Sequence, residues 1–333
     1  MQERRNRIIP MRIAIVGAGA IGGWLAVRLA QAGEDVSVLA RGATLAAIRA
    51  NGLVLTEAGQ TVIANIPASD TPADLGRQDL VIVAVKGQAL SAVAPAIAAL
   101  LGPATSVLPA MNGIGWWFTH GIGAPLEGAV LGSIDPGGAI AKHIPPDRVV
   151  GCVVHASSAV AAPGHIFHTT GKRLIVGEPT GGDSTRLARV ADVLRNAGLD
   201  IQVSTRIQQA AWYKLWGNMT MNPISALTGA TTDKILGDPL VRAFALAVMT
   251  EAKQVGARIG CAIAESGEDR MAVTQKLGAI KTSMLQDAEA GRALELDALL
   301  AAPREIAMKV GIATPNMNAL HGMARVFDGV GRG

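Results

Sequence analysis

The sequence predicts an α/β fold, a doubly wound parallel sheet followed by an all-helical domain. Three observations predict it. A short apolar strand runs straight into a Gly-rich turn and a helix at residues 12–32. Strand-like and helix-like patterns then alternate to about residue 205, as βαβ units require. After about residue 206 the strand signals vanish and long helical patterns take over. The 333 residues suit two domains. We expect an N-terminal extension over residues 1–10, a nucleotide-binding domain over 11–205 and a helical domain over 206–333.

Each element has its own signal. Arg12–Val16 (RIAIV) is a mostly apolar run that reads as a strand buried on both faces. Ile21–Ala32 carries apolar residues at helical spacing and stops at Gly33. Asp35–Leu39, Leu80–Val85 and a run opening at Thr105–Leu108 give further strands. Between Arg148 and Glu178, β-rich pieces broken at Pro163-Gly164 and Gly171 predict antiparallel strands added to the same sheet. Ser184 or Thr185 caps a helix to Asn196, and Asp200–Ser204 is the last strand. Helices are expected over Gln208–Thr220, Pro239–Gly260, Asp269–Leu285 and Glu295–Gly311. Pro303 should kink or shorten the last of these, and a final helix starts at Thr314-Pro315.

Composition excludes several classes. Half the residues are hydrophobic, only 17% are charged and the mean hydropathy is +0.33, so the chain can bury a large core and is not a disordered polypeptide. Cys152 and Cys261 stand far apart with no CxxC or Cys/His spacing, which argues against a disulfide scaffold or a zinc site; no metal is expected. A net charge of +4 without a basic run, and with 3% aromatics, gives little support for nucleic-acid binding and suits a small anionic ligand. The N-terminus lacks the apolar stretch of a secretory signal. Residues 87–119 carry no charge, but Pro95, Gly102, Pro103 and Pro109 interrupt them, so a buried helix and strand are expected rather than a membrane span. The protein is expected to be cytoplasmic.

Gly17-Ala18-Gly19-Ala20-Ile21-Gly22 is a GxGxxG directly between a strand and a helix. In that setting Gly17 permits the tight turn, Gly19 lets a pyrophosphate approach the backbone, and Gly22 allows close helix–strand packing. The N–H groups at the helix start, including those of Ala20 and Ile21, then hold the diphosphate of a dinucleotide in a Rossmann-type domain. The second strand ends Leu39-Ala40-Arg41-Gly42, with no acid to take the ribose hydroxyls. Arg41 suits a 2′-phosphate by charge and fork geometry, so NADPH is the expected cofactor. Lys86 closes the strand IVAVK at the ligand edge of the sheet, where it meets the same phosphate, steadies the cofactor, or snorkels at the surface. Asn112 holds the equivalent edge one strand later, facing nicotinamide or substrate, or simply forming an Asn-Gly turn.

In the helical half, Lys214, Asn218 and Asn222 recur at i, i+4 and i+8 and form a polar stripe among Leu215, Trp216, Met219 and Met221. A lysine so covered loses solvation, and its pKa falls toward the range useful for proton transfer. The stripe equally suits a lysine paired to an acid, with asparagines ending the helix near Pro223. A second cluster, Lys281 to Asp287 and then Glu295, offers Ser283 as a carboxylate donor; Asp287 or Glu289 would serve as well as Glu295.

Taken together, the ordered blocks GAGAIGG, VAVKGQ, MNGIG, KLWGNMTMNPISALTG and KTSMLQDAEAGRALELD resemble the 2-dehydropantoate 2-reductase (ketopantoate reductase) family over residues 11–325. The resemblance implies NADPH-dependent reduction of 2-dehydropantoate to (R)-pantoate in pantothenate and coenzyme A synthesis, in a cleft between the two domains. It implies Lys214 as the catalytic lysine and Glu295 as its acidic partner. It further implies Asn218, Asn222 and Ser283 at the substrate, Arg41 and Lys86 near the NADP phosphate, and Asn112 near nicotinamide and substrate. Ala293-Leu294 replaces the Pro-Thr often found there, and Trp116-Trp117 follow the MNGIG block, so the substrate end of the cleft is expected to be reshaped. The alternatives are reduction of another 2-oxo acid or an imine, or a non-catalytic NADPH-binding sensor. The oligomeric state is left open, a homodimer included.

Overall fold

The computed structural model describes residues 10–276 and 278–331. The expected extension, residues 1–10, lies outside them apart from Pro10. The chain opens with β1 (Arg12–Val16), α1 (Ala20–Gln31), β2 (Asp35–Leu39) and α2 (Gly42–Asn51). A hairpin, β3 (Leu53–Glu57) and β4 (Gln60–Ala64), precedes β5 (Ala68–Ser69) and α3 (Pro72–Leu75). Then come β6 (Gln78–Val83), α4 (Gly87–Leu100) and β7 (Leu101–Pro109). The first sheet has the order β5-β2-β1-β6-β7, and every pairing is parallel. The winding direction reverses between β1 and β6, and in such sheets the ligand crevice lies beyond the strand ends at that reversal.

Alternation along β1 divides the core. Ile13 and Ile15 face a cluster with Trp24 and Leu25 of α1, while Ala14 and Val16 join Val81, Val83 and the α4 residues Leu90, Ala94 and Ile97. That second face continues without a break into the helical half, where Trp212 and Trp216 belong to the same cluster.

One expectation fails here. After α5 (Ala139–His143), β8 (Gly151–Ala162) and β9 (His165–Gly177) do not extend the first sheet. They build a second one with β3, β4 and β10 (Asp200–Val203), which follows α6 (Thr185–Asn196). β9 is long enough for β3 and β10 to pair along it in succession, both parallel to it, while β8 pairs antiparallel. A bridge between Val107 of β7 and Val149, just before β8, and a shared apolar cluster tie the two sheets together. The hairpin β3–β4, unread in the sequence, supplies the partner that draws β9 away. Ser184 does cap α6, accepting from the Leu187 N–H at 3.0 Å.

The helical half is built around α7 (Ile207–Thr228), which runs through Pro223 instead of ending at Thr220. It is followed by α8 (Thr232–Gly237) and α9 (Pro239–Arg258). Trp212 and Trp216 anchor α7 to α9 by donating to the Ala252 and Met249 carbonyls at 3.2 and 2.8 Å. The helix expected over Asp269–Leu285 is two, α10 (Gly267–Gln275) and α11 (Ser283–Glu289), with Gly278 at φ +75° in the turn between them. Glu295–Gly311 is not one helix either. A π-helical turn, Asp297–Ala301, leads into α12 (Ala302–Lys309), and Pro303 sits in the first turn of α12, just past that turn. α13 (Pro315–Val330) has Pro at its start as expected, but Thr314 does not cap it. The buried Glu251 carboxylate of α9 does so instead, accepting from the Asn316 and Met317 N–H groups at 2.9 Å each.

Candidate active site

The Gly-rich loop has the geometry its residues predict. Gly17 sits at φ +92°, and a Cβ there would meet Val85 at 2.8 Å and the Ala84 carbonyl at 3.0 Å. At Gly22 a Cβ would fall 1.9 Å from the Gly17 carbonyl oxygen, so α1 can approach β1 this closely only through glycine. Gly19 differs, since nothing lies within 4 Å of where its Cβ would be. That open space, at the start of a helix with no side-chain cap and no acid in its first turn, is where an anion can approach the free N–H groups of Ala20, Ile21 and Gly22. The loop therefore fits a dinucleotide diphosphate. Arg41 stands exposed as the N-terminal residue before α2, just past the end of β2, and no acid pairs with it among the described residues.

Lys214 projects from α7 toward the MNGIG loop. Its ammonium donates to Asn112 Oδ1 at 2.8 Å and to the Val154 carbonyl of β8. Burial is the main reason its pKa falls, to about 8, while the field of Glu295 pulls the other way. The Cys152 thiol beside it is itself pushed up to about 12 by burial, so it stays neutral and is no nucleophile. Because α7 continues past Pro223, Asn218 and Asn222 lie on the same helix as Lys214. Neither asparagine makes a side-chain hydrogen bond among the described residues, so their amides are available to a ligand.

The expected pairing of Glu295 with Lys214 is not formed. Glu295 accepts from Lys86 at 3.0 Å, and Asp287 accepts from the same ammonium at 2.7 Å. Glu295 reaches Lys214 only through its field. Burial opposes the charge on Lys86, but the two carboxylates outweigh it and hold its pKa above the ordinary lysine value. Lys86 thus bridges the start of α4 to the helical half rather than standing ready for a phosphate. Gln88 adds a bond from α4 to the Leu294 carbonyl at 2.6 Å. Ser283 opens α11, exposed, with Thr282 rather than Ser283 capping that helix. α11 packs on α7, so Ser283 lies on a helix that neighbours the one carrying the asparagine stripe.

Backbone geometry ties these pieces together. Gly113 takes φ +77°, and a Cβ there would fall 2.5 Å from the Ala298 carbonyl oxygen. The Ile114 N–H donates to that same carbonyl at 3.0 Å. The π turn thereby holds the loop that carries Asn112. Trp116 and Trp117 turn inward and, with Asn112 and Cys152, line a cavity of about 50 Å³. A wider groove of about 940 Å³ is lined by His155, Tyr213, Arg206, Lys172 and Arg173. Its lining holds none of the stripe residues, so we assign the chemistry to the Lys214 side. Asp287, Val154 and Cys152 belong to this neighbourhood without a role assigned from sequence. The sequence offers Asp287 as an alternative acid, whereas a backbone acceptor such as Val154 leaves no trace in residue types.

Comparison with known proteins bears on the same residues. The family model described as ketopantoate reductase PanE/ApbA matches residues 13–181, and the model of its C-terminal part matches residues 206–328. A 2-dehydropantoate 2-reductase of Mesorhizobium japonicum is 46% identical over 95% of this chain and 97% of its own. A solved ketopantoate reductase candidate from Ralstonia solanacearum MolK2 is 56% identical, with a TM-score of 0.93 over 96% of this chain and 98% of its own. A 2-dehydropantoate 2-reductase from Geobacter metallireducens GS-15 is 29% identical, with a TM-score of 0.82 over 95% and 99% of the two chains.

Proposed function

The chain belongs to the ketopantoate reductase family, and from that premise we propose that it is an oxidoreductase reducing 2-dehydropantoate to (R)-pantoate with NADPH. The observation that carries this reading is Lys214. Its ammonium is desolvated, has no carboxylate within bonding distance, and shares α7 with two asparagines whose amides have no protein partner among the described residues. A structural lysine needs none of this, whereas a proton donor needs a lowered pKa and room for substrate.

The loop Gly17 to Gly22, with the N–H groups of Ala20 and Ile21, is suited to the diphosphate, and Arg41 to the 2′-phosphate. Bound there, the dihydronicotinamide supplies the hydride for the ketone carbon. Lys214 gives its proton to the former carbonyl oxygen, and before that its charge stabilises the negative charge building on that atom. Asn112 and the Val154 carbonyl fix the ammonium in place, so little reorganisation is needed when charge develops. Asn218, Asn222 and Ser283 orient the carboxylate and hydroxyl of the substrate. Glu295 contributes a negative field that keeps Lys214 protonated, and with Asp287 it holds Lys86 across the cleft.

We place the enzyme in the cytoplasm, with a cofactor-binding domain over residues 11–205 and a catalytic helical domain over 206–333. A homodimer of the 34.2 kDa chain is compatible with this reading. No helix among the described residues is long and apolar enough to cross a membrane. The test is oxidation of NADPH and of NADH with a panel of 2-oxo acids and imines. Preferred turnover of 2-dehydropantoate with NADPH is expected. Preference for another acid, or for NADH, would correct the substrate or the cofactor. Tight NADPH binding with no turnover would leave a sensor.

A further inference from the structure

The cavity beneath the MNGIG loop has no part in the chemistry described so far. Its volume is about 50 Å³. At roughly 10–15 Å³ for each, that is room for about four water-sized groups, the compact end of a small molecule. Its lining divides into two sets. Gly87, Asn112 and Asp297 are at least partly exposed, while Trp116, Trp117 and Cys152 are buried. The first set adjoins the candidate site. Asn112 accepts from Lys214 at 2.8 Å, Gly87 follows Lys86, and Asp297 lies just past Glu295 in the chain. The cavity therefore leads inward from the cleft at the loop that holds the Lys214 ammonium.

Its two indoles differ. The Trp116 N–H donates to the Ile144 carbonyl at 2.8 Å, so it is already used by the fold. Trp117 is only 4% exposed, yet its N–H has no hydrogen-bond partner among the described residues. A buried indole N–H ordinarily finds one, so this one requires an explanation. The ring is fixed at both ends. A Cβ built on Gly115 would stand 2.7 Å from Trp117 Nε1, and one on Gly151 would stand 2.9 Å from its Cη2. Gly115 lines the cavity as well, so the N–H edge of the ring lies at the cavity wall. A small, mostly apolar space with one unused donor suits a compact alkyl group that carries a single acceptor.

We propose that this cavity is the side-chain subsite of the cleft, taking the branched end of the 2-oxo acid, opposite its carboxylate, with the Trp117 N–H donating to the hydroxyl oxygen. This rests on the reading of the chain as a 2-oxo acid reductase and goes beyond it by assigning the end of the substrate that sets specificity. A hydroxyl accepts and donates at once, so the indole complements the polar groups of α7 and α11 that take its proton. The donor also gives the discrimination its direction. A methyl in place of the hydroxyl leaves the N–H unpaired in a desolvated pocket, which costs more than a lost contact. The tryptophan pair reshapes the substrate end of the cleft from behind the Asn112 loop.

The test compares wild type, Trp117→Phe and Gly115→Ala. The readouts are kcat/KM for 2-dehydropantoate, for 3,3-dimethyl-2-oxopentanoate, where a methyl replaces the hydroxyl, and for unbranched pyruvate. The dissociation constant of NADPH is measured beside them. Trp117→Phe keeps a ring but loses the donor, so the preference for the hydroxylated acid over its methyl analogue should shrink about 3- to 10-fold. Gly115→Ala drives the indole into the cavity and should lower kcat/KM for both branched acids about tenfold relative to pyruvate. NADPH affinity should hold in both variants. An unchanged preference between the two branched acids in Trp117→Phe overturns the proposal and leaves the reductase standing, because the N–H then meets no substrate. A loss shared equally by all three acids, or a loss of NADPH affinity, also overturns it and marks Trp117 as merely structural. If Gly115→Ala does not fold, the Trp117→Phe comparison decides alone. Failure of the wild type to reduce any 2-oxo acid overturns the functional reading itself, and this proposal with it.

Discussion

Two lysines face the same cleft, and their surroundings drive them in opposite directions. Lys86 reaches from the cofactor-binding half and is half-exposed, with carboxylates at 2.7 and 3.0 Å; its pKa is raised. Lys214 reaches from the helical half and is held only by an amide oxygen and a backbone carbonyl; its pKa falls to about 8. Burial acts against the charge in both cases. The difference lies in whether formal negative charge lies within bonding distance. A lysine locked between two carboxylates is a fixed charge that spans the domains. One held by neutral acceptors keeps its proton weakly enough to give it away. The contrast separates a structural cation from a chemical one by environment alone.

The largest effect that tests this contrast is removal of Lys214. In Lys214→Ala, turnover should fall by about 10²–10⁴ while NADPH affinity barely changes, since the lysine faces the substrate and not the phosphates. Turnover within a few-fold of wild type, with steady-state kinetics and NADPH binding measured side by side, would put Lys214 in the same class as Lys86. Next in size is Arg41→Ala, which probes the other half of the cleft. KM for NADPH should rise about 10- to 100-fold and KM for NADH should not, because only NADPH carries the 2′-phosphate. Equal losses with both cofactors would remove Arg41 from the phosphate site.

What could be read in advance follows the same division. The glycine loop, the polar stripe of α7 and the two-part architecture are local in sequence, set by spacing over a few residues, and the structure has them in place. The partners of Lys86 are 201 and 209 positions away, and no periodicity links them. Val154 contributes a main-chain carbonyl, which every residue has, so its role at Lys214 has no signature in residue type. The second sheet is not legible in the sequence because β9 pairs with the distant hairpin β3–β4, and strand partners are chosen by long-range packing more than by propensity. The family resemblance implies Glu295 as the partner of Lys214, whereas its hydrogen bond goes to Lys86.

A smaller effect is the pH dependence of the wild type. The donor is the protonated form of Lys214, so activity should hold below its pKa and fall as pH rises through about 8. By pH 9 only about a tenth of the ammonium remains on a pKa of about 8, giving about a tenfold loss in kcat. Lys86 adds no second limb in this range, because its pKa is raised and not lowered. A flat profile to pH 9.5 or so would mean that Lys214 is not the titrating donor.

Glu295→Gln should give the smallest change, and it bears most directly on the comparison because Glu295 acts on both lysines. For Lys86 it is a bonded partner at 3.0 Å, and Asp287 remains when it is neutralised, so that lysine keeps one carboxylate and its charge. For Lys214 it is a field without a bond, and the field favours the ammonium. Removing the charge leaves burial less opposed, so the Lys214 pKa must fall, and the basic limb of the kcat profile must move to lower pH by a fraction of a unit. At a fixed pH about one unit above the wild-type midpoint this appears as a loss of about two- to threefold, provided the midpoint shifts by about 0.3–0.5. The measurement is the kcat–pH profile of Glu295→Gln beside that of Lys214→Arg, whose guanidinium cannot titrate in this range and which should lose the limb altogether. A midpoint that moves up, or does not move while the limb persists, would show that Glu295 has no electrostatic hold on Lys214. It would then act in this cleft through Lys86 alone.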